Sequence, residues 1–250
     1  MLILLPASER KTPVPRGRPF DPARLSFPAL APTRSAVLDA LAEVSAGPEA
    51  LRRLDVPATL SSLVHANVTL GEAPAAPARA VYAGPLYAGL GLADLDAASR
   101  RRAQAWIVVI SALWGAVRLG DRIPAYRLNM CGRLPGLPHL PDVWRNPLAD
   151  VLPAAAGRGL VVDCRSAEYA TAWRPAGELA ERTVVVKLRA SSYDARYLRG
   201  RLARRIVTDA VDPQEPEDLA NALSEHLEVD LRGPARPGRS WELQVIAAVG

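Results

Sequence analysis

Lys11 is the first residue of this 250-residue chain whose type and position suggest chemistry. Only Lys11 and Lys187 are lysines, so 29 of the 31 basic residues are arginine. A lysine standing on a strand-to-loop turn in such a chain points to a need for a compact ammonium, which binds an anion as a point charge or titrates when buried. Ser8 and Thr12 set hydroxyls beside it, and loop amides would complete a small anion nest. The plainer alternative is an exposed loop lysine. Tyr126 and Arg127 form a second group. If Ala125–Leu128 is a strand, Tyr126 and Leu128 share one face and Arg127 points to the other. Arg127 then offers a planar fork for phosphate or carboxylate, or makes a structural ion pair with Asp121 or Asp163. In a third group, Ser166, Glu168 and Tyr169 follow a strand ending at Asp163-Cys164, a place where α/β folds often open their binding crevice. Glu168 buried near Lys11 would serve as a general base or neutralise it; otherwise it is an acidic residue favoured at a helix start.

The fourth group lies on a helix over 196–208. At about 100° per residue, Leu198, Leu202 and Ile206 form one stripe and Arg204 lies opposite. Arg201 and Arg205 take one flank and Arg199 the other. The arrangement reads as a helix docked on the core, its basic outer surface either contacting phosphate or simply solvated. Arg199 and Arg205 lie nearest the apolar stripe and are placed to reach a cleft.

Strand-like and helix-like segments alternate along the chain, which predicts one α/β unit over residues 1–250. Leu2–Leu5 reads as a buried strand stopped by Pro6, and 13–32 as an ordered surface excursion. Arg34–Val44 has helical spacing, with Thr33 as N-cap and Gly47 just past the end. Gly71–Ala80, rich in Pro and Ala, reads as a loop. Leu95–Gln104 is expected as a helix and Trp106–Ile110 as a central strand. Val143–Leu152 is expected as a helix interrupted early by Pro147. Gly159–Cys164 and Thr183–Leu188 read as inner strands, Pro216–Leu227 as a helix and Trp241–Val249 as the last strand.

Nearly half the residues are apolar, enough for a full core, and the net charge is +5. That charge suits nucleic acid or anionic metabolites without requiring either. Cys131 and Cys164 stand far apart, outside any CxxC pattern, which fits a reducing cytoplasm. The opening MLILLPASERK has no basic segment before its apolar run and reads as a strand, not a signal peptide. No stretch approaches the roughly 20 apolar residues of a membrane span. His65, His139 and His226 are scattered, so no metal site and no cofactor is expected.

Three blocks carry a family likeness: LPASERKT at the N-terminus, SALWGAVRLGDRIPAYRLNM over 111–130, and VVDCRSAEYATAWRP, with Ser166, Glu168 and Tyr169. GPLYAGL and Arg199-Gly200 match more weakly. In these blocks the chain resembles the YaaA family of bacterial peroxide-stress proteins. The resemblance implies a single compact mixed α/β fold with a central mixed sheet flanked by helices. It also implies a role in limiting peroxide damage, and binding to double-stranded DNA through a helix-hairpin-helix-like element that no particular residues mark. Asn129 stands where the family often has Glu, the segment SSYDARYLRG has fewer lysines, and the stretch between Lys187 and the late helix is shorter. A specialised subfamily is compatible with those departures. Two functions follow: a cytoplasmic peroxide-response protein that binds DNA or a related anionic ligand, or an enzyme acting on a nucleotide or sugar phosphate. The enzyme would build its pocket from Ser8, Lys11, Arg127 and Glu168, with Lys11 and Glu168 catalytic. Convergence of those four residues in one pocket would favour the enzyme.

Overall fold

The structure, a computed structural model, describes residues 1–188 and 192–248. Its strands are β1 (Leu2–Pro6), β2 (Arg18–Pro19), β3 (Pro74–Pro77), β4 (Ile107–Ser111), β5 (Gly115–Arg118), β6 (Arg122–Ile123), β7 (Val161–Asp163), β8 (Thr183–Leu188), β9 (Leu227–Arg232) and β10 (Trp241–Ala248). The α-helices are α1 (Ala31–Ala46), α2 (Ala50–Arg53), α3 (Ser61–His65), α4 (Ala78–Val81), α5 (Pro85–Leu90), α6 (Ala97–Trp106), α7 (Leu140–Ala156), α8 (Ala167–Ala170), α9 (Glu178–Glu181), α10 (Ser192–Thr208) and α11 (Pro216–Ser224).

A seven-stranded sheet runs in the order β5-β4-β1-β7-β8-β10-β9. Its five inner strands are mutually parallel, and β5 and β9 close the two edges antiparallel. Continuous apolar runs are what parallel strands covered on both faces require: Leu2–Leu5 and Ile107–Ile110 are wholly buried. The expected mixed sheet with flanking helices is therefore present, around one contiguous hydrophobic core.

Several boundaries differ from the sequence reading. Helix α1 begins at Ala31, so Thr33 is not its N-cap; Pro32 occupies the first turn, where a missing N–H costs nothing. Helix α7 starts at Leu140 and continues through Pro147 and Pro153. Its buried stripe of Leu140, Trp144, Leu148 and Leu152 outweighs the roughly 3 kcal/mol a proline costs inside a helix. The segment 71–80 is not all loop: Pro74–Pro77 is the middle strand of a small sheet β2-β3-β6. Its prolines stand at the strand ends, and Ala75 and Ala76 between them pair with Arg18 and Ile123.

Residues 125–128 form no strand, although Tyr126 and Leu128 are buried and Arg127 is half-buried, as expected. The Asn67 side chain replaces a neighbouring strand there. Its Nδ2 donates to Arg127 O at 2.9 Å and its Oδ1 accepts from Arg127 N at 2.9 Å. Helix α11 ends at Ser224, and Leu227–Arg232 becomes the antiparallel edge strand β9. The end of the last strand at Val249 and most of the stretch between Lys187 and α10 lie outside the described residues.

Helices α5 and α10 cross where a glycine on each removes the side chain. A Cβ on Gly200 would overlap Leu86 O and lie 2.7 Å from Leu90 N, and one on Gly89 would overlap Tyr197 O. This crossing holds Arg199 against the end of β1. Gly200→Ala should therefore destabilise the fold by about 1–3 kcal/mol or more, read as a lower midpoint in urea. Gly71→Ala is the control, because nothing stands within 4 Å of its Cβ position.

Candidate functional site

Strand β1 is buried on both faces and paired along both edges, and the loop after Pro6 passes from buried Ala7 through half-buried Ser8 to exposed Glu9 and Arg10. Buried backbone acceptors need partners, and here side chains supply most of them. Tyr87 Oη donates to Pro6 O at 3.0 Å, Lys11 Nζ to Ser8 O at 2.6 Å and Arg127 Nη1 to Glu9 O at 3.0 Å. Ala83 N donates to Arg10 O at 3.1 Å, and Ser8 Oγ donates to Ala83 O. Thr12 is exposed, its backbone N–H bonded to Val81 O.

The Lys11 amine sits 3.9 Å from the centroid of the Tyr126 ring and 5.7 Å from that of Tyr82. Tyr126 Oη is hydrogen-bonded to Ser111 Oγ at 2.7 Å and lies 3.2 Å from Tyr82 Oη. Burial pushes the Lys11 ammonium down to about 7; Glu9 opposes this and Arg127 reinforces it. Burial also raises the Tyr82 phenol to about 12 and holds Tyr126 well above the ordinary tyrosine value. The carboxylate acting on Lys11 is thus Glu9. Glu168 is exposed and lies beside Cys131, so the expected buried Glu168 near Lys11 is not realised. Arg127 pairs with Glu9 Oε2 at 2.8 Å instead of with Asp121 or Asp163. Asp121 accepts from Ser26 and Arg118 N, and Asp163 is bound by Arg165.

Two openings flank the loop. A crevice of about 250 Å³ is lined by Ser8, Ser166, Glu168, Tyr169, Arg196 and Arg199, among others. It lies at the carboxyl ends of β1 and β7, neighbours in the sheet. From β1 the chain next enters the sheet at β4 on one side, whereas from β7 it passes to β8 on the other. Such a switch point leaves a crevice outside the carboxyl ends of the strands. Arg199 is half-buried there; burial lowers its pKa, and its Nε is buried with no hydrogen-bond partner.

On the far side of Glu9 and Arg10 lies a groove of about 660 Å³, walled by Pro13, Val14, Leu60, Leu63, Leu70 and Pro124 and reached by Lys11, Tyr126 and Arg127. The four residues expected to share a pocket are therefore divided. Ser8 and Glu168 line the crevice, Lys11 and Arg127 the groove, and Glu9 and Arg10 stand in the wall between them.

The arginines of α10 divide as well. Arg201 is exposed. Arg204 Nη1 donates to Leu90 O at 3.2 Å and Gly91 O at 2.7 Å, closing the end of α5, and Arg205 pairs with Asp209. Sequence reasoning passed over Glu9, Arg10, Tyr82 and Arg196, and met Tyr87 only within the weakly matching GPLYAGL. The signal for Glu9 was present, since it stands between Ser8 and Lys11. Nothing local marks Tyr82 and Tyr87, which reach the loop only through tertiary contact.

A family model described as peroxide stress protein YaaA matches residues 1–232. The chain is similar to a UPF0246 protein of Streptomyces coelicolor, 45% identical over 98% of each chain. It is also similar to a UPF0246 protein of Corynebacterium efficiens, 34% identical over 92% of this chain and 96% of the relative. No helix among the described residues is long and apolar enough to cross a membrane.

The lowered Lys11 pKa has a signed consequence for stability. The unfolded chain keeps that proton up to about the ordinary 10.5, whereas the folded chain releases it near 7. Between those values the unfolded state binds more protons, so stability rises with pH. Below pH 7 both states are protonated and the Lys11 contribution is flat. Urea titrations of wild type and Lys11→Met should diverge from pH 7 to 10 in favour of wild type; parallel curves would show an ordinary amine.

Proposed function

The chain belongs to the YaaA family of peroxide stress proteins, and on that premise we propose that it acts by binding a phosphate-bearing ligand in the crevice at the ends of β1 and β7. The observation that carries this reading is Arg199. A guanidinium held half-buried with a free Nε in a crevice that also presents the Ser8 and Ser166 side chains suits a phosphate, which accepts charge-assisted hydrogen bonds. Arg196 and Arg10 at the mouth add the charge that draws an anion in. Glu168 at the same crevice orients a ligand with its own donors, as a nucleotide has. Lys11 Nζ and Arg127 Nη1 serve this site indirectly, by fixing the loop that carries Ser8.

Duplex DNA is the extended form of the same ligand chemistry, and α10 is where it would lie. Arg204 and Arg205 are engaged within the protein, whereas Arg196 and Arg201 are exposed on the helix. The free thiols Cys131 and Cys164 suit work in the reducing cytoplasm.

Thermal unfolding with inorganic pyrophosphate and with AMP tests the crevice. Either should raise the melting temperature of wild type, approaching about 2.7 kcal/mol of stabilisation at a hundredfold excess over Kd. Arg199→Ala should abolish the shift and Arg201→Ala should leave it intact. In parallel, a salt series with duplex DNA should show binding that weakens with salt in proportion to the phosphates engaged, reduced by Arg196→Ala/Arg201→Ala. The variant that also removes Arg204 is avoided because it uncaps α5. No shift with either small ligand and no DNA binding at physiological salt would overturn the reading.

A further inference from the structure

The groove on the other side of the loop has a different chemistry. Its walls are proline, leucine, valine and alanine, and the Lys11 amine stands at its polar end beside Tyr126, Arg127 and Glu9. We propose that this groove is a binding site for small aliphatic aldehydes and that Lys11 Nζ condenses with them to an imine. The proposal does not rest on the phosphate reading: the two openings share only Glu9 and Arg10, and Lys11 meets the crevice only through its hydrogen bond to Ser8 O.

Three observations carry it. First, the amine is fixed: Nζ donates to Ser8 O at 2.6 Å over the Tyr126 face, so a carbonyl carbon entering the groove meets one amine in one place. Second, the walls give an aliphatic tail an apolar bed, and burial of such a tail contributes about 0.8 kcal/mol per methylene. Third, polar groups stand at the same end. Arg127 Nε is buried with no partner and is a donor for the carbonyl oxygen, and the Glu9 carboxylate can relay a proton.

The groups acting on the amine are Glu9, which favours the ammonium, Arg127, which disfavours it, and the Tyr126 and Tyr82 rings above it. Burial is the largest of these influences and brings Lys11 to about 7, where a large share of the amine is unprotonated at neutral pH. A desolvated lysine in an apolar pocket is a nucleophile of this kind.

The step balances without oxidant or reductant. The Nζ lone pair attacks the carbonyl carbon to form the C–N bond of a carbinolamine. Both Nζ hydrogens then leave with the former carbonyl oxygen as one water, Glu9 relaying the second proton, as the C=N bond forms.

The chain itself supplies the control, since its amines are Lys11, Lys187 and the N-terminus. Lys187 is exposed and 3.9 Å from Glu242. The full chain is incubated with hexanal and sodium cyanoborohydride at pH 7, and the reduced hexyl adduct is located by peptide mapping. Lys11 should be labelled at least about tenfold faster than Lys187, because an ordinary lysine is almost wholly protonated at that pH. Leu63→Gln, at the exposed rim of the groove, should slow hexanal labelling of Lys11 while leaving labelling by formaldehyde unchanged. If Lys11 is labelled no faster than Lys187, the amine is closed or charged and the proposal fails. If Lys11 reacts with formaldehyde but shows no preference for hexanal, the aliphatic site fails. Wild-type and Leu63→Gln melting curves establish that each protein is folded.

Discussion

The whole site follows from where β1 ends. A strand paired on both edges and covered on both faces cannot deliver its chain to water at its last residue. The chain beyond it runs between other segments as far as Ser8 before Glu9 and Arg10 reach the surface, and the carbonyls of Pro6, Ser8, Glu9 and Arg10 each have a donor. Tyr87, Lys11, Arg127 and the Ala83 amide are those donors. Its acceptors are matched by side chains that are themselves held: Tyr87 on α5, Arg127 on the segment bonded to Asn67, and Lys11 beside two tyrosine rings.

Rigidity and altered acidity then share one cause. The packing that fixes the loop removes water from Lys11, Tyr82 and Tyr126, and desolvation is the first cause of each shift. The nearby Asp163–Arg165 pair, bidentate at 2.8 and 2.7 Å and buried, holds the end of β7 in the same way. Such a pair adds little net stability once its desolvation is counted; what it provides is position. Arg165 Nη2 also donates to Trp173 O at 2.9 Å, which ties the strand end to the segment after α8 and so sets one wall of the crevice.

Much of the fold was legible because its inner strands are runs of β-branched and leucine residues with nowhere to go but a covered parallel sheet. Legibility failed where tertiary contact overrode local preference. Pro147 looked like an interruption, but four large buried side chains of α7 carry the helix through it. Residues 125–128 looked like a strand because their faces alternate, yet Asn67 does the work of the missing neighbour. At the site, Ser8, Lys11, Arg127, Ser166 and Glu168 were recognisable as polar residues at expected strand ends, and Arg199 as the arginine beside the apolar stripe of its helix. Their division into two openings was not, since it depends on which way the backbone of Glu9 and Arg10 passes. The arginines of α10 show the limit of helical-wheel reasoning most clearly. It places Arg204 on the outer face, but it cannot see that α5 lies there with two carbonyls to satisfy.

The same physics bears on how a member of this family answers peroxide. Direct reduction of peroxide by a thiol needs a thiolate. Burial pushes Cys164 up to about 12, with Asp163 adding to the effect, and Cys131 is also raised, by desolvation and by Glu168 beside it. Both shifts disfavour the thiolate. The positive groups that lower a cysteine's pKa in reactive sites are directed elsewhere here: Arg165 is bound to Asp163 and Arg127 to Glu9. Arg199 is the exception, since its field does favour the Cys164 thiolate, but it is too weak against complete burial. The charged groups turned toward the two openings are instead an amine and a guanidinium, Lys11 at the groove and Arg199 at the crevice.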